Sequence, residues 1–367
     1  EHPTFSVYQS DINYPPLFIY ILKLFTLFYN TPTLIQENIL LLKPVVLLFD
    51  FLPLIVLYLI YKKLIKWWYI FLLLLHPGYI HNSVIWGQID AIPSFFCNTA
   101  LLLFNKYPQL SIILFIMGLC SKIQMVILLP VLILFWFVKY YPNNHLISGI
   151  YLLLIGILTI VILFIPFLTH HTFTYFLNKL NHQVGLYNST SLNAYNIWYL
   201  LLKEHPFLVK DTTVFMGLSY RYWGIILFAI ASFIALFPSV LLAFCSPKKT
   251  DSITELFLLL SAIITLLFFF FNTEMHERYS HPALLALFYY GAINKKFVFF
   301  IIAASLYFFN VELVLPFFSI NKWLLLLSEK GIALLFAGFI LYLYKELYLE
   351  FYKPLLTLGL TKFKKYN

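Results

Sequence analysis

A succession of apolar runs, separated by short turns that carry lysine, limits this chain to very few folds. Runs fall near residues 38 to 60, 67 to 80, 89 to 104, 108 to 120, 122 to 139, 146 to 168, 222 to 244, 253 to 271, 279 to 293, 297 to 318 and 331 to 348. A helix needs roughly 17 to 25 apolar residues to cross a bilayer, and backbone placed in hydrocarbon must satisfy its own hydrogen bonds. The pattern therefore predicts an all-α, polytopic transmembrane bundle with about 11 membrane helices, several of them short. Composition agrees: 62% of the 367 residues are hydrophobic, 11% are charged and the mean hydropathy is +0.87, well outside the soluble globular range. The net charge of +9 does not point to nucleic acid, because the lysines sit in the turns between apolar runs rather than along a stripe. Cys97, Cys120 and Cys245 lie in or beside apolar runs without metal or disulfide spacing, and read as small buried hydrophobes. The chain opens on Glu1 with no signal peptide and reads as a fragment or a processed chain.

Lysine bias orients the bundle. Lys62, Lys63, Lys66, Lys106, Lys139, Lys248, Lys249, Lys295, Lys296, Lys362, Lys364 and Lys365 fall on one side if each run crosses once, and the positively charged side is cytoplasmic. The opposite side then collects residues 1 to 37, "HNSVIWGQID", "SKIQ", the long 169 to 220 segment and "NTEMHERYSHP". The run "PPLFIYILKLFTLFY" at 15 to 29 is too short to cross and would invert every later helix; it reads as an interfacial helix. One integral membrane domain over 1–367 follows: an outer loop with that helix over 1–37, a first helical block over 38–168, a long outer loop over 169–220, C-terminal helices over 221–348 and a cytoplasmic tail over 349–367.

Two polar clusters interrupt the hydrocarbon. In "HPGYIHNSVIWGQIDAIPSFF", Asp90 follows Trp86 and Gln88 near a helix end. A carboxylate at membrane depth costs several kcal/mol unless it faces a partner or a polar cavity. Asp90 therefore either pairs locally, with Gln88, Asn82 or a lysine, or lines a site in which an indole, an amide and a carboxylate meet a sugar or a prenyl-linked phosphate headgroup. The second cluster holds Glu274, His276, Glu277, Arg278 and His281 just before an apolar helix. Of the 24 basic residues only Arg221 and Arg278 are arginines, so a planar guanidinium at 278 suggests a phosphate partner, aided by the helix N-terminus that follows; a solvated loop with internal ion pairs is the plain alternative. His276 and His281 lack the tight spacing of a metal site, so no metal ligand and no cofactor is expected, with a divalent ion left open. Lys122 and Gln124 stand at the outer mouth of a helix, where a snorkelling lysine is the simple reading of Lys122. The aromatic content of "HQVGLYNSTSLNAYNIWYLL" argues for an ordered loop, and Asn188-Ser189-Thr190 in it matches the short N-glycosylation pattern.

The blocks "NYPPLFIYILKL", "KPVVLLFD", "HNSVIWGQIDAI", "SKIQMVILLP", "SLNAYNIWYLL" and "MHERYSHPALLAL", in that order, resemble bacterial and archaeal membrane mannosyltransferases related to the eukaryotic GPI mannosyltransferase II, within the GT-C superfamily. The resemblance covers about residues 11 to 290. "WGQ-D" and "MHERY" are its specific parts; where that family carries proline between the lysine and the glutamine of the "KIQ" block, this chain has Ile123, and the C-terminal helices match only in hydropathy. It implies a multi-pass enzyme of a bacterial or archaeal cytoplasmic membrane rather than of the endoplasmic reticulum. Its reaction would be the transfer of a hexose, mannose first, from a polyprenyl-phosphate donor to a glycan, lipid or protein acceptor. Transfer would take place on the extracytoplasmic face with inversion, with the bilayer and no nucleic acid as partner. It implies Asp11 and Asp90 as catalytic carboxylates and Tyr14, Trp86, Gln88, Lys122, Gln124, Asn193, Asn196, His276, Glu277 and Arg278 as substrate contacts. It further implies that a first family helix lies upstream of Glu1, and the base with it if Asp11 is not the base. A transporter or scramblase of lipid-linked sugars, or an inactive partner subunit, are the alternatives from other classes.

Overall fold

A computed structural model describes residues 14–62, 66–140, 146–168, 172–181, 185–245, 253–318 and 328–354. Chain entry is set by proline: Pro15 and Pro16 open α1 (Pro16–Thr26), where a missing N–H costs nothing. The Thr31 hydroxyl accepts from the Leu34 N–H and caps α2 (Pro32–Asn38), which passes through one tight turn into α3 (Leu42–Ile60). After α4 (Trp68–Leu74) and the single turn α5 (Pro77–Tyr79), the chain forms a π-helical turn over Ile80–Trp86 that ends at Gly87. The antiparallel pair α6 (Ala91–Leu103) and α7 (Pro108–Leu119) follows, then a 3-10 stretch, Ile123–Leu128, that runs into α8 (Leu129–Tyr140). Beyond α9 (Leu146–Phe164) come the short α10 (Thr172–Asn181) and α11 (Ile197–Leu201) and a two-stranded hairpin, β1 (Val214–Phe215) and β2 (Leu218–Ser219). The chain continues through α12 (Tyr220–Cys245), α13 (Ile253–Phe271), α14 (His281–Asn294), α15 (Val298–Val314) and α16 (Glu329–Leu347).

Six helical stretches among the described residues are long and apolar enough to cross a membrane: 32–60, 123–140, 147–167, 220–241, 253–271 and 329–352. The chain is thus an all-α, multi-pass membrane protein apart from the small hairpin. Burial sorts these helices. In α13, 89% of the apolar window is enclosed, whereas for α9 and α12 the share is 17%. All three are apolar around their whole circumference, so α13 is a core helix and the outer two turn side chains such as Ile150, Leu154, Ile157, Phe233 and Ile234 outward, as helices solvated by lipid do. The core forms where α13 packs on α12, α14 and α16 while α6 packs on α3, α7 and α14; Phe135 of α8 stacks on Phe257 of α13 with rings 4.3 Å apart.

Several expected crossings are not single straight helices. The 67 to 80 run breaks at His76-Pro77: the ring of Pro77 drives His76 to an extended ψ of 130°, and the chain turns instead of continuing. Helices α6 and α7 have 13 and 12 residues, about 20 and 18 Å at 1.5 Å each, short of a hydrocarbon thickness of about 30 Å. The irregular backbone before α6 carries buried His81, Asn82 and Ser83, and that after α7 carries buried Ser121, Met125 and Leu128, while Leu75, Val84 and Val126 stay exposed; burial of the first kind shelters non-helical backbone from hydrocarbon. Within 169–220 the described residues form α10, α11 and the β1–β2 hairpin, and the last helix continues through a π-helical turn to Tyr352.

The bundle has two chemically different ends. At one, Lys139 Nζ caps α6 by donating to the carbonyls of Phe104 (3.1 Å) and Asn105 (2.7 Å), and Lys296 reaches Glu346 (2.8 Å) and Glu350 (2.5 Å). At the other, α1 lies across the helix ends, with Leu17 N–H donating to Cys120 O (2.8 Å) and the Tyr20 hydroxyl to Leu163 O (2.9 Å). The candidate site is at this second end.

Candidate functional site

Three separate chain breaks converge there, and each presents a polar side chain because the helix before it has stopped. Gly87 takes φ +75°, a left-handed conformation that releases the π-helical turn, and the chain re-enters as α6 with Asp90 at its N-cap. Asp90 does not cap with its side chain. Lys122 Nζ instead donates to its Oδ1 at 2.5 Å, and Arg278 Nε stands 3.5 Å from its Oδ2. Lys122 is held at the extended residue between α7 and the following 3-10 stretch, and Arg278 in the turn between α13 and α14. Arg278 Nη1 also donates to Glu277 Oε1 at 3.0 Å.

Aromatic rings frame the charges. The Arg278 guanidinium lies over Trp86 (5.6 Å) and Tyr279 (5.8 Å), and Lys122 Nζ lies 4.7 Å from the Tyr279 ring centroid. Gln124 and Tyr279 line the same cavity, about 20 Å³ in volume and bounded also by Asp90, Lys122, Thr265 and Phe268, which sits against this group with room for about one water molecule. Burial of Asp90 would raise its carboxyl pKa, but Lys122, Arg278 and the Lys122 hydrogen bond outweigh it and hold the group below the ordinary carboxylate range. Burial likewise disfavours the Arg278 cation, and Asp90 and Glu277 overcompensate. The pairing is incomplete in one place: Asp90 Oδ2 and Arg278 Nε are both buried, face each other, and form no hydrogen bond.

Below Asp90 a polar ladder descends α6 at helical spacing. The Ser94 hydroxyl donates to Asp90 O (2.5 Å) and pairs with His281 Nδ1 (3.1 Å); the Asn98 amide donates to Ser94 O (3.1 Å) and Pro282 O (2.9 Å), and the Ser261 hydroxyl to Asn98 Oδ1 (2.8 Å). Residues 90, 94 and 98 lie at i, i+4 and i+8, one face of one helix. Ser94, Asn98 and Tyr279 are absent from the expected set, although the four-residue spacing was available to find the first two.

The second arginine does different work. Arg221 makes a two-pronged contact with Asp211 (Nε to Oδ2 2.7 Å, Nη2 to Oδ1 3.0 Å), and Nη2 also donates to Glu274 Oε1 at 2.9 Å. The Thr273 hydroxyl donates to Asp211 Oδ2 (3.2 Å) and Glu274 N–H to Ser189 O (3.1 Å). This clamp ties residues 185–221 onto the 272–281 turn. Burial and the neighbouring Asp211 carboxylate push the Glu274 carboxyl up, against the pull of Arg221.

The remaining expected site residues divide. His276 is placed beside the Arg278 group, between Tyr187 (5.3 Å) and Tyr279 (5.0 Å), with Nδ1 3.8 Å from Glu277 Oε2. Gln88 is half-buried next to Asp90, its N–H donating to Asn82 O. Asn193 is half-buried and its backbone carbonyl accepts from the Asn310 amide (2.9 Å), while fully buried Asn196 caps α11 and its amide donates to Phe269 O (3.3 Å) and Asn272 O (3.4 Å). Thr190 of the Asn-Ser-Thr pattern is buried, its hydroxyl donating to Pro206 O (2.7 Å). Tyr14 is exposed and packs on Phe18 (4.7 Å) just ahead of the Leu17 anchor; Asp11 lies outside the described residues. Among the described residues no group of three His, Cys, Asp or Glu side chains is placed to hold a metal ion. No family model and no curated protein matches the chain.

Proposed function

We propose that the chain is a membrane glycosyltransferase of the GT-C type that moves a hexose, mannose first among candidates, from a polyprenyl-phosphate donor to a lipid, glycan or protein acceptor on the extracytoplasmic face, with inversion. The observation that carries this reading is the facing pair Arg278 Nε and Asp90 Oδ2, both buried and unsatisfied at 3.5 Å, beside Lys122 and the cavity. A guanidinium held by a carboxylate without a closed hydrogen bond exchanges that partner for a phosphate oxygen at little cost, and a phosphate takes the planar fork in two prongs. Trp86 offers a flat face for a sugar ring.

The reaction asks for a held phosphate leaving group, an acceptor hydroxyl opposite it at the anomeric carbon, and a base for one proton. Lys122 and Arg278 hold the phosphate in this scheme. Asp90, kept ionised by both cations, is a weak base and serves better by positioning them, which leaves the proton to Asp11 or to a carboxylate upstream of the chain. Space for one water does not admit a hexose, so in this scheme Tyr279 and other lining side chains move when the donor binds. Supplying membranes that contain the protein with a panel of polyprenyl phosphosugars tests the reading: free polyprenyl phosphate should accumulate with one donor, and release from none of them rejects it. The buried ladder from Asp90 to Ser261 is the one feature that favours a transporter of lipid-linked sugars, for which transbilayer movement without release of polyprenyl phosphate is the signature.

A further inference from the structure

The hairpin of β1 and β2 is built the wrong way round for water. Its two-residue turn, Met216-Gly217, has φ +50° and +84°, the doubly left-handed geometry that favours Asn-Gly or Asp-Gly. Gly217 fits, with open space where a Cβ would be. Met216 does not: an unbranched apolar residue in the left-handed region is strained relative to asparagine, and it is 79% exposed. Neither face of the hairpin is a core face either. Val214 and Phe215 on one strand and Leu218 on the other are all exposed, so four apolar side chains in a row stand clear of the protein where a polar tip would be expected.

The hairpin's position says what covers it. Ser219 leads directly into α12, whose apolar membrane-length stretch begins at Tyr220. The hairpin folds back on the first turn of that helix: Tyr220 N–H donates to Thr213 O (3.1 Å), Trp223 Nε1 donates to Phe215 O (2.9 Å), and the Phe215 ring stacks on Tyr220 with centroids 6.0 Å apart and planes 19° off parallel. Phe215 is thus held at the first turn of the span, where its ring stacks on Tyr220 and its carbonyl accepts from the Trp223 side chain. Tyr220, Tyr222 and Trp223 at that level are the aromatic residues that mark a membrane interface. Strands of two residues leave ladder groups open, which the headgroup region can satisfy and the hydrocarbon centre cannot. The charged Lys210 and Asp211 lie at the base of the hairpin, away from its tip.

We propose that residues 214–218 form an interfacial anchor whose Met216 tip dips into the outer edge of the lipid leaflet beside α12, holding the 185–221 segment, and through the Arg221 clamp the 272–281 turn, at a constant height over the bilayer. The anchor requires no particular enzymatic activity, so it stands or falls separately from the transferase reading. The test uses the whole protein in phosphatidylcholine vesicles, with the environment-sensitive fluorophore NBD attached at Met216→Cys, at Val214→Cys, or at the exposed control Glu204→Cys. A Cys245→Ser background is used; Cys97 and Cys120 are buried. Lipids carrying a nitroxide near the headgroup should quench the label at 216 and 214 while aqueous iodide quenches it several-fold less than at 204. Iodide quenching at 216 equal to that at 204 overturns the proposal. Protection from both quenchers also overturns it, because the tip then rests on protein, either a second copy or another chain. Using two positions on one hairpin means that a misfolded tip variant cannot decide the outcome alone, and thermal unfolding of each labelled protein confirms that the fold is kept.

Discussion

Replacing Asp90 by asparagine keeps the shape of the side chain and removes one charge from the centre of the site. Asp90 is 2% exposed and Lys122 and Arg278 retain 14% and 18% side-chain exposure, so the substitution leaves two partly buried cations facing a neutral amide. Breaking a buried ion pair by removing one partner costs about 3 to 5 kcal/mol. Two features reduce that here. Arg278 keeps Glu277 at 3.0 Å and Lys122 keeps the Tyr279 ring, and the residual exposure screens both charges, so a loss of about 2 to 4 kcal/mol is expected. Thermal unfolding in detergent micelles reads it as a lowered Tm. A cycle with Lys122→Met sharpens the reading: removing both charges should cost less than the sum of the single changes, because neither variant then strands the other's partner. The pH dependence has a definite sign. A carboxyl held below its ordinary pKa of about 3.9 contributes stability above that pH and loses it as pH falls further, so wild type should lose the Asp90 contribution only below about pH 4, and Asp90→Asn should lack that component. An unchanged Tm for Asp90→Asn, with additive costs in the cycle, refutes the view that this carboxylate organises the two cations.

Arg278→Lys preserves the charge but not the fork, and should change stability by about 1 kcal/mol or less while most polyprenyl phosphate release is lost; equal turnover removes Arg278 from the phosphate role. Arg221→Lys should loosen the outer segment, because one ammonium cannot serve Asp211 in two prongs and Glu274 together; limited proteolysis between residues 185 and 221 should speed up, and an unchanged digest speaks against the clamp. Sidedness is best tested with single cysteines at exposed positions, since Ser83, Ser189 and Thr273 near the site are all buried. Tyr187→Cys and Glu204→Cys should react with an impermeant maleimide from outside and Lys106→Cys from the cytoplasm; Tyr187 and Lys106 labelling from one side would overturn the proposed orientation.

Hydropathy alone was enough for a helical, multi-pass bundle, because the cost of unsatisfied backbone in hydrocarbon depends on local residue type and run length. It could not separate core from lipid-facing helices. The α9 run has no charged residue and the α13 run carries only Glu255 in its first turn, yet it is α13 that packing encloses and α9 that is left to lipid. Nor did run length reveal that the 67 to 80 stretch turns at Pro77 into a π-helical detour, though the proline itself was visible. That α1 is too short to cross a bilayer was readable from run length, and the helix has 11 residues.

At the site, residue type was informative and partnership was not. Asp90, Trp86, Lys122, Gln124 and Arg278 stand out as polar or planar groups in an apolar chain, yet the two arginines look alike in sequence. Asp211, with no conspicuous motif around it, makes Arg221 a structural clamp, while Asp90 leaves Arg278 with an open bond. Asn196 stood out in the sequence as a polar residue in an aromatic loop, and the structure uses its side chain to cap α11 and brace the backbone at the end of α13. The chain by itself determined which charges had to find partners, since an ionised group near hydrocarbon must be paired. Which partner each one found was decided only by the tertiary structure, because Lys122 lies 32 residues from Asp90 in the chain and Arg278 reaches the same carboxylate from the turn between α13 and α14, and Coulombic attraction and packing act on distance in space rather than on position in sequence.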